Sequence, residues 1–319
     1  MDQDNSFEKA FVLLRDYFKQ VNIFTSKEDI QILASKLEKP RITKSLPTMT
    51  CQCLQHNRTK NYIIQNNKPC DFLIRLGVMD SSGNVIKKHY SKFRQINRYL
   101  EIVENVFPSL PKDKKLKIID FGCGKAYLTF AIYYYLKILK NRDVEIIGLD
   151  LKRDVIDFCN KVAHDLGYND LKFLMGDIAD YTNDHADMVV TLHACDTATD
   201  YALINAVSWN TKVILSVPCC QHELFSQINN SVHQPMLKHG ILKDRLTEYL
   251  TDGLRGLKLE SKGYDVSMIE FTSLEHTSKN IMIKAIKTGS PDSQQAKKAE
   301  EEYQQLKIFY NVNPTIDKL

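Results

Sequence analysis

The 319-residue chain has no apolar run near the roughly 18 residues that a membrane-crossing helix needs, so no membrane span is expected. Its opening, M-D-Q-D-N-S-F-E-K, is acidic and polar, and no signal peptide is expected. Internal repeats and low-complexity tracts are absent from it. Eight cysteines are present, but not at the even spacing of a disulfide framework, and several fall in or beside predicted strands. They read as reduced thiols of a cytoplasmic protein. What remains is a globular composition, 43% hydrophobic and 26% charged. The length allows one large α/β domain with a smaller companion.

A net charge of +4 conceals an asymmetry. Residues 36–98 hold thirteen Lys and Arg against three acids, Glu38, Asp71 and Asp80, a balance of +10. The rest of the chain is therefore acidic by 6 charges. A basic segment beside a near-neutral domain is the footprint of a polyanion-binding protein, although a solvated basic surface has the same composition.

Residues 6–37 read as two helices, the second starting at the capping-box-like Ser26-Lys-Glu-Asp29 and stopped by Pro40. Residues 41–90 predict a small, partly β module, with short segments such as 61–64 and Phe72–Leu76 between Asn, Gly and Ser clusters. Lys92–Phe107 is an amphipathic helix. Phe93, Ile96, Tyr99, Leu100, Val103 and Phe107 share one face, and Lys92, Gln95, Arg98 and Glu101 lie towards another. From 116 onwards strands and helices alternate, with strands at 116–121, 144–150, 171–175, 187–192 and 212–217. Near-continuous β-branched runs separated by helices imply a buried parallel sheet. A mixed region, 221–262, precedes two successive strands, Tyr264–Phe271 and Asn280–Ile286, which suggest an antiparallel edge hairpin. A linker and a charged helix, 294–310, follow. This divides the chain into a basic accessory module (1–90), an α/β domain (91–288) and a C-terminal linker and helix (289–319).

The densest signal is Leu116–Leu128, L-K-I-I-D-F-G-C-G-K-A-Y-L. A strand ends in Asp120, passes into Gly122 and Gly124 and opens a helix. The glycines let backbone approach a ligand that a Cβ would block. Tyr127 stands where the dinucleotide-binding G-x-G-x-x-G fingerprint needs its third glycine. D-F-G-C-G resembles motif I of the class I methyltransferases that use S-adenosylmethionine (SAM). Asp150 ends the second strand, where an acid can accept hydrogen bonds from both ribose hydroxyls. Asp177 ends the third, where a carboxylate can take the adenine amine and the Ile178 backbone can read the ring edge. His193 ends the fourth. In a doubly wound sheet these strand ends share one crevice.

A second constellation follows the fourth and fifth strands. One part is Leu192-His-Ala-Cys-Asp-Thr-Ala-Thr-Asp200 and the other is Val217-Pro-Cys-Cys-Gln-His-Glu223. Adjacent strand ends would gather His193, Cys195, Asp196, Cys219, Cys220 and His222 at the methyl-donating end. Three chemistries compete. His193, Asp196 or His222 can position an acceptor or serve as its base. Cys219 or Cys220, after Pro218, can attack a pyrimidine ring as a thiolate. Thiols and imidazoles are also zinc ligands by type, but adjacent cysteines are not finger spacing and no second C-x-x-C exists, so no metal is expected. Cys51-x-Cys53 with Cys70 and His56 is a separate, weaker metal candidate. Against all three stands the alternative of buried filler thiols and packed histidines.

L-H-A-C-D-T-A-T-D with P-C-C-Q-H is similar to the class I methyltransferases of the methyltransferase-like domain family, over about residues 90–287. It also resembles the tRNA 2'-O-methyltransferases of the acceptor stem, with their L-C-G-x-A-T-D and C-C-H-H strings. Those enzymes have glycine at the place of Asp196 and histidine at the place of Gln221, and they carry zinc-finger modules that have no counterpart here. The resemblance implies a Rossmann-like class I methyltransferase sheet with an antiparallel edge hairpin, plus a small N-terminal α+β module. It implies that Asp120, Gly122, Gly124, Asp150 and Asp177 hold SAM. His193, Cys195, Asp196, Thr199, Asp200, Cys219, Cys220 and His222 would line the acceptor side. The expected activity is methyl transfer from SAM to structured RNA, tRNA or rRNA, in the cytoplasm. A protein methyltransferase, or a module that binds SAM or RNA without catalysis, are the other readings.

Overall fold

The computed structural model describes residues 3–33, 40–48, 62–178, 180–181, 185–192, 194–271 and 280–319. The chain divides into two compact units, Met1–Lys60 and Asn61–Leu319.

The first unit holds helix α1 (Gln3–Asp16) and a three-stranded antiparallel sheet in the order β1 (Gln20–Phe24), β2 (Asp29–Leu33), β3 (Arg41–Ser45). The second helix expected from Ser26 is instead the hairpin of β1 and β2. Val21 and Ile23 alternate with polar neighbours, as do Ile30 and Ile32, and the pairs face each other across the ladder. The capping-like residues build its turn. Thr25 Oγ1 accepts from the amides of Lys27 (3.2 Å) and Glu28 (3.0 Å) and donates to the Glu28 carbonyl (2.7 Å).

The second unit opens with α2 (Asp71–Arg75), a helix where the segment pattern had suggested a strand, and α3 (Tyr90–Val106). The alternating part runs β4 (Leu116–Phe121), α4 (Tyr127–Tyr133, continued by a π-helical turn Tyr134–Leu139), β5 (Val144–Asp150), α5 (Arg153–Asp165), β6 (Leu171–Met175), β7 (Met188–Thr191), α6 (Thr197–Ser208) and β8 (Val213–Ser216). After α7 (Gln234–Leu237) and the 22-residue α8 (Gly240–Ser261) come β9 (Tyr264–Glu270), β10 (Ile281–Lys287) and α9 (Gln294–Tyr310). No described helix is long and apolar enough to cross a membrane.

The seven-stranded sheet has the order β6-β5-β4-β7-β8-β10-β9. β4 to β8 are parallel, and β10 runs antiparallel to both β8 and β9. This is a Rossmann-like, mainly parallel sheet with the expected antiparallel edge hairpin. The chain starts at β4 and reverses its direction across the sheet between β4 and β7, which opens the crevice at their carboxyl ends.

Each sheet face carries its own core. Phe93, Ile96 and Leu100 of α3 pack with Phe130 and Ile132 of α4 and with Cys159 and Val162 of α5. Leu203, Leu254 and Tyr303 from α6, α8 and α9 fill the other face. Ile64, Phe72, Leu73, Val78 and Met79 join the first core. Buried Asn97 ties their segment to α3, accepting from the Ile64 amide (2.8 Å) and donating to the Phe93 carbonyl (3.2 Å). Residues 62–90 therefore belong to the α/β unit rather than to the N-terminal module. α9 is likewise part of that unit, with Tyr303 fully buried and its hydroxyl on Asp317 (2.7 Å).

Candidate active site

The turn after β4 is built from left-handed backbone. Gly122 (φ +69°), Gly124 (φ +53°) and Ala126 (φ +56°) each turn the chain where L side chains are disfavoured, and α4 starts directly after them. A side chain at Gly124 would meet nothing within 4 Å of its Cβ, so space is open there for a ligand to approach backbone. The Gly124 amide donates to Asp150 Oδ2 (2.9 Å) and the Lys152 amide to Asp150 Oδ1 (3.0 Å). The end of β5 thus holds both the turn and its own carboxylate in place.

A cavity of about 230 Å³ lies against this turn, lined by Asp120, Gly122, Cys123, Ala126, Tyr127 and Leu192 together with Lys92 and Lys125. Asp120 is fully buried on its wall. One oxygen accepts from Thr129 Oγ1 (2.5 Å), while Oδ1 is a buried atom with no partner among the described residues. Burial pushes the Asp120 carboxyl up to about 7, helped by the nearby Asp150 charge, and the Thr129 bond works against the rise. An orphaned carboxylate oxygen, a glycine turn and two lysines suit a ligand that bears both cationic and carboxylate groups, and SAM has both.

Lys92 was placed by periodicity on the polar side of its helix, yet it is a wall of the cavity. Its ammonium contacts Gln95 Oε1 (2.7 Å) and lies 5.4 Å from the Tyr127 ring centroid, and desolvation lowers its pKa. Its position one residue before the buried Phe93 was the available signal. Asp177, beyond the end of β6, is exposed, and the Ile178 carbonyl accepts from Asn205 Nδ2 (2.8 Å). His193 lies outside the described residues.

The second constellation is assembled as the strand pairing requires. β7 and β8 are parallel neighbours with Thr191 opposite Ser216, so their following loops meet. Cys195, Asp196, Thr197 and Ala198 form a tight turn closed by the Ala198 amide on the Cys195 carbonyl (3.1 Å). Asp196 sits in it at φ +52°, ψ −125°, a conformation suited to glycine. Its side chain staples the loops. Oδ1 accepts from the amides of His222 (2.9 Å) and Glu223 (3.0 Å), and the Asp196 amide donates to the Cys220 carbonyl (3.1 Å). The Cys195 and Cys219 sulfurs are 3.0 Å apart, and Cys220 joins them. Burial, then the neighbouring thiols, push the Cys219 thiol up, opposite to what a thiolate nucleophile requires. His222 is exposed at the loop surface.

Two residues carried to the acceptor side by resemblance lie beneath it instead. Asp200 is buried in a bidentate pair with Arg255 (Nε–Oδ1 2.9 Å, Nη2–Oδ2 2.7 Å), and Thr199 Oγ1 donates to the Ala194 carbonyl (2.7 Å). Arg255 also reaches Asp252 Oδ1 (3.1 Å) and the Asp196 carbonyl (2.8 Å), while Gln221 Nε2 donates to Asp252 Oδ2 (3.0 Å). This buried network supports both loops from α8, a helix that periodicity had not separated from its surroundings.

Residues 91–227 match the protein family described as "Methyltransferase domain". No curated protein matches the chain. Among solved structures, it is similar to coclaurine N-methyltransferase bound to N-methylheliamine and SAH (10% identity, 37% of this chain and 35% of that one, TM-score 0.30). It is also similar to a dimethyladenosine transferase from Plasmodium falciparum (15% identity, 66% and 69%, TM-score 0.38). A third is a putative class I SAM-dependent methyltransferase from Listeria monocytogenes (14% identity, 62% and 61%, TM-score 0.38). The chain thus spans less than two thirds of the length of the first and third of these. The family match covers less than half of the chain and, with the sheet order, the glycine turn and the strand-end acids beside it, makes residues 91–227 similar to a methyltransferase domain.

Proposed function

We propose that this protein is a cytoplasmic methyltransferase that transfers the methyl group of SAM to structured RNA, tRNA or rRNA. The observation that carries the acceptor class is the +10 balance of residues 36–98. Its exposed members in the α/β unit include Lys87 and Lys88 in the turn before α3, and Arg94 on α3, the helix that carries the cavity-lining Lys92. Cations on that helix can hold phosphates while the acceptor nucleotide reaches the strand ends. The uneven spacing of the eight cysteines, unlike that of a disulfide framework, supports the cytoplasmic assignment.

Bound SAM supplies an electrophilic methyl group on a sulfonium. The protein's part is to hold its cationic and carboxylate groups with Asp120 and Lys92, to hold its ribose with Asp150, and to align the acceptor. Of the candidate bases, His222 is an exposed imidazole on a loop fixed by Asp196, while the engaged Asp196 acts as a positioning group. The test is incubation with tritiated-methyl SAM, total cellular RNA and, in parallel, a protein extract. Label is expected in RNA and absent with Asp120→Ala. Label in protein alone would overturn the RNA assignment, and label in neither would leave a small-molecule acceptor or a binding role.

A further inference from the structure

Three thiols converge where β7 and β8 leave the sheet. Cys195 follows β7, Cys219 and Cys220 follow β8, and their sulfurs all lie within 4.8 Å of one another. The frame that gathers them does not use the thiols. It consists of the Asp196 amide on the Cys220 carbonyl, the two amides on Asp196 Oδ1 and the Arg255 guanidinium on the Asp196 carbonyl. Asp196 keeps its glycine-like backbone for the sake of that frame, so the sulfurs are brought together before anything binds them. Cys195 is exposed and Cys219 and Cys220 are half-buried, so one side of the cluster faces solvent.

We propose that Cys195, Cys219 and Cys220 form a binding site for a thiophilic divalent cation of the Zn²⁺ class, with its fourth position open on the solvent side. Thiolates at about 2.3 Å from zinc in tetrahedral geometry stand about 3.8 Å apart. The 3.0 Å contact and the 4.8 Å limit bracket that value, so side-chain rotation within the fixed frame suffices. Binding converts the thiols to thiolates and releases their protons to solvent, which relieves the close packing of three S–H groups. Finger spacing does not disclose the site because the strand pairing, not the sequence, brings position 195 to 219 and 220. Three ligands among the described residues leave the fourth place to water or to an acceptor atom.

The full chain, reduced, stripped with chelator and kept anaerobic, is titrated with Co²⁺ as the spectroscopic stand-in. The expected result is one equivalent bound, with thiolate-to-cobalt charge-transfer bands and the strong visible bands of tetrahedral cobalt, bleached by one equivalent of Zn²⁺. Cys195→Ser, Cys219→Ser and Cys220→Ser should each weaken binding about tenfold or more. Cys70→Ser and the Cys51→Ser/Cys53→Ser pair should leave it in place. A reduced wild-type chain without charge-transfer bands overturns the proposal whether or not any variant folds. So do bands that survive all three replacements and disappear with Cys51→Ser/Cys53→Ser. No step of this test involves methyl transfer, so its failure leaves the functional proposal standing.

Discussion

Replacing Asp120 by asparagine should make the protein more stable at alkaline pH while it weakens SAM. The carboxyl is fully buried, its Oδ1 has no partner among the described residues, and burial pushes it up to about 7. The folded state therefore holds this proton more tightly than the unfolded chain, whose carboxyl titrates near 4. The contribution to stability is complete below that value and is lost as pH rises to about 7. Between those limits the slope is about −1.4 kcal/mol per pH unit, and the total is roughly 4 kcal/mol. Asp252, pushed up to about 6 by burial, titrates in the same direction, so the wild type alone does not isolate the effect. The difference between Asp120→Asn and wild type does. Urea unfolding at intervals from pH 4 to pH 8.5 should show the variant gaining on the wild type by an amount of that order, then no further change. Calorimetric titration should show SAM binding to the wild type tightening with pH through about 7, because the cationic ligand favours the ionised carboxylate. The variant should bind more weakly and without that dependence. A stability difference that stays constant across the range would refute the burial argument. A wild-type affinity independent of pH would refute the assignment of Asp120 to the cationic groups of SAM.

Asp150→Ala removes the carboxylate that fixes the Gly124 and Lys152 amides and that is assigned to the ribose. SAM affinity should fall about 10- to 100-fold by calorimetry, and unchanged affinity would sink the assignment. Arg255→Ala leaves Asp200 and Asp252 buried opposite an empty space, and urea unfolding should show a loss of about 3–5 kcal/mol. Asp196→Gly and Asp196→Ala both lose the two amide bonds, but only glycine relaxes the positive φ. The glycine variant should be the more stable of the two by about 1 kcal/mol in the same assay, and equal stability would mean that the backbone is not strained. Lys87→Ala, Lys88→Ala and Arg94→Ala should each lower the steepness of log affinity for RNA against log salt by about 1, measured by filter binding.

The sheet was readable because its central strands β4, β7 and β8 are buried on both faces. Runs such as Ile118-Ile119 and Val189-Val190 have no polar alternation to confuse with an exposed hairpin, and the glycine turn fixes where the first strand ends. The N-terminal module misled for the opposite reason. Its strands are only five residues long, β1 and β3 are largely exposed, and the helix-start residues Ser26 to Asp29 serve equally well in a β-turn. α8 was obscured by glycines within it. At Gly256 a Cβ would stand 2.6 Å from Met268 Cε on β9, the flexible end of an exposed side chain that can move aside.

The acceptor side shows where a motif stops being informative. L-H-A-C-D-T-A-T-D reads as a string of chemical groups, yet the fold sorts its members by depth. Asp200 goes under the sheet end to neutralise Arg255, Thr199 closes a backbone carbonyl, Asp196 spends an oxygen on two amides, and among the described members of the string only Cys195 is exposed. The one acid that looked like a base, Asp196, holds the loops that carry the thiols. Aspartate at position 196 follows from this. Glycine would ease the turn, but it has no oxygen to join the β7 loop to the β8 loop. A chain that keeps aspartate there accepts backbone strain in return for a fixed distance between Cys195 and Cys219–Cys220. That exchange has a purpose only if the spacing of those sulfurs matters, and this makes the cobalt titration the measurement on which the reading of the acceptor side turns.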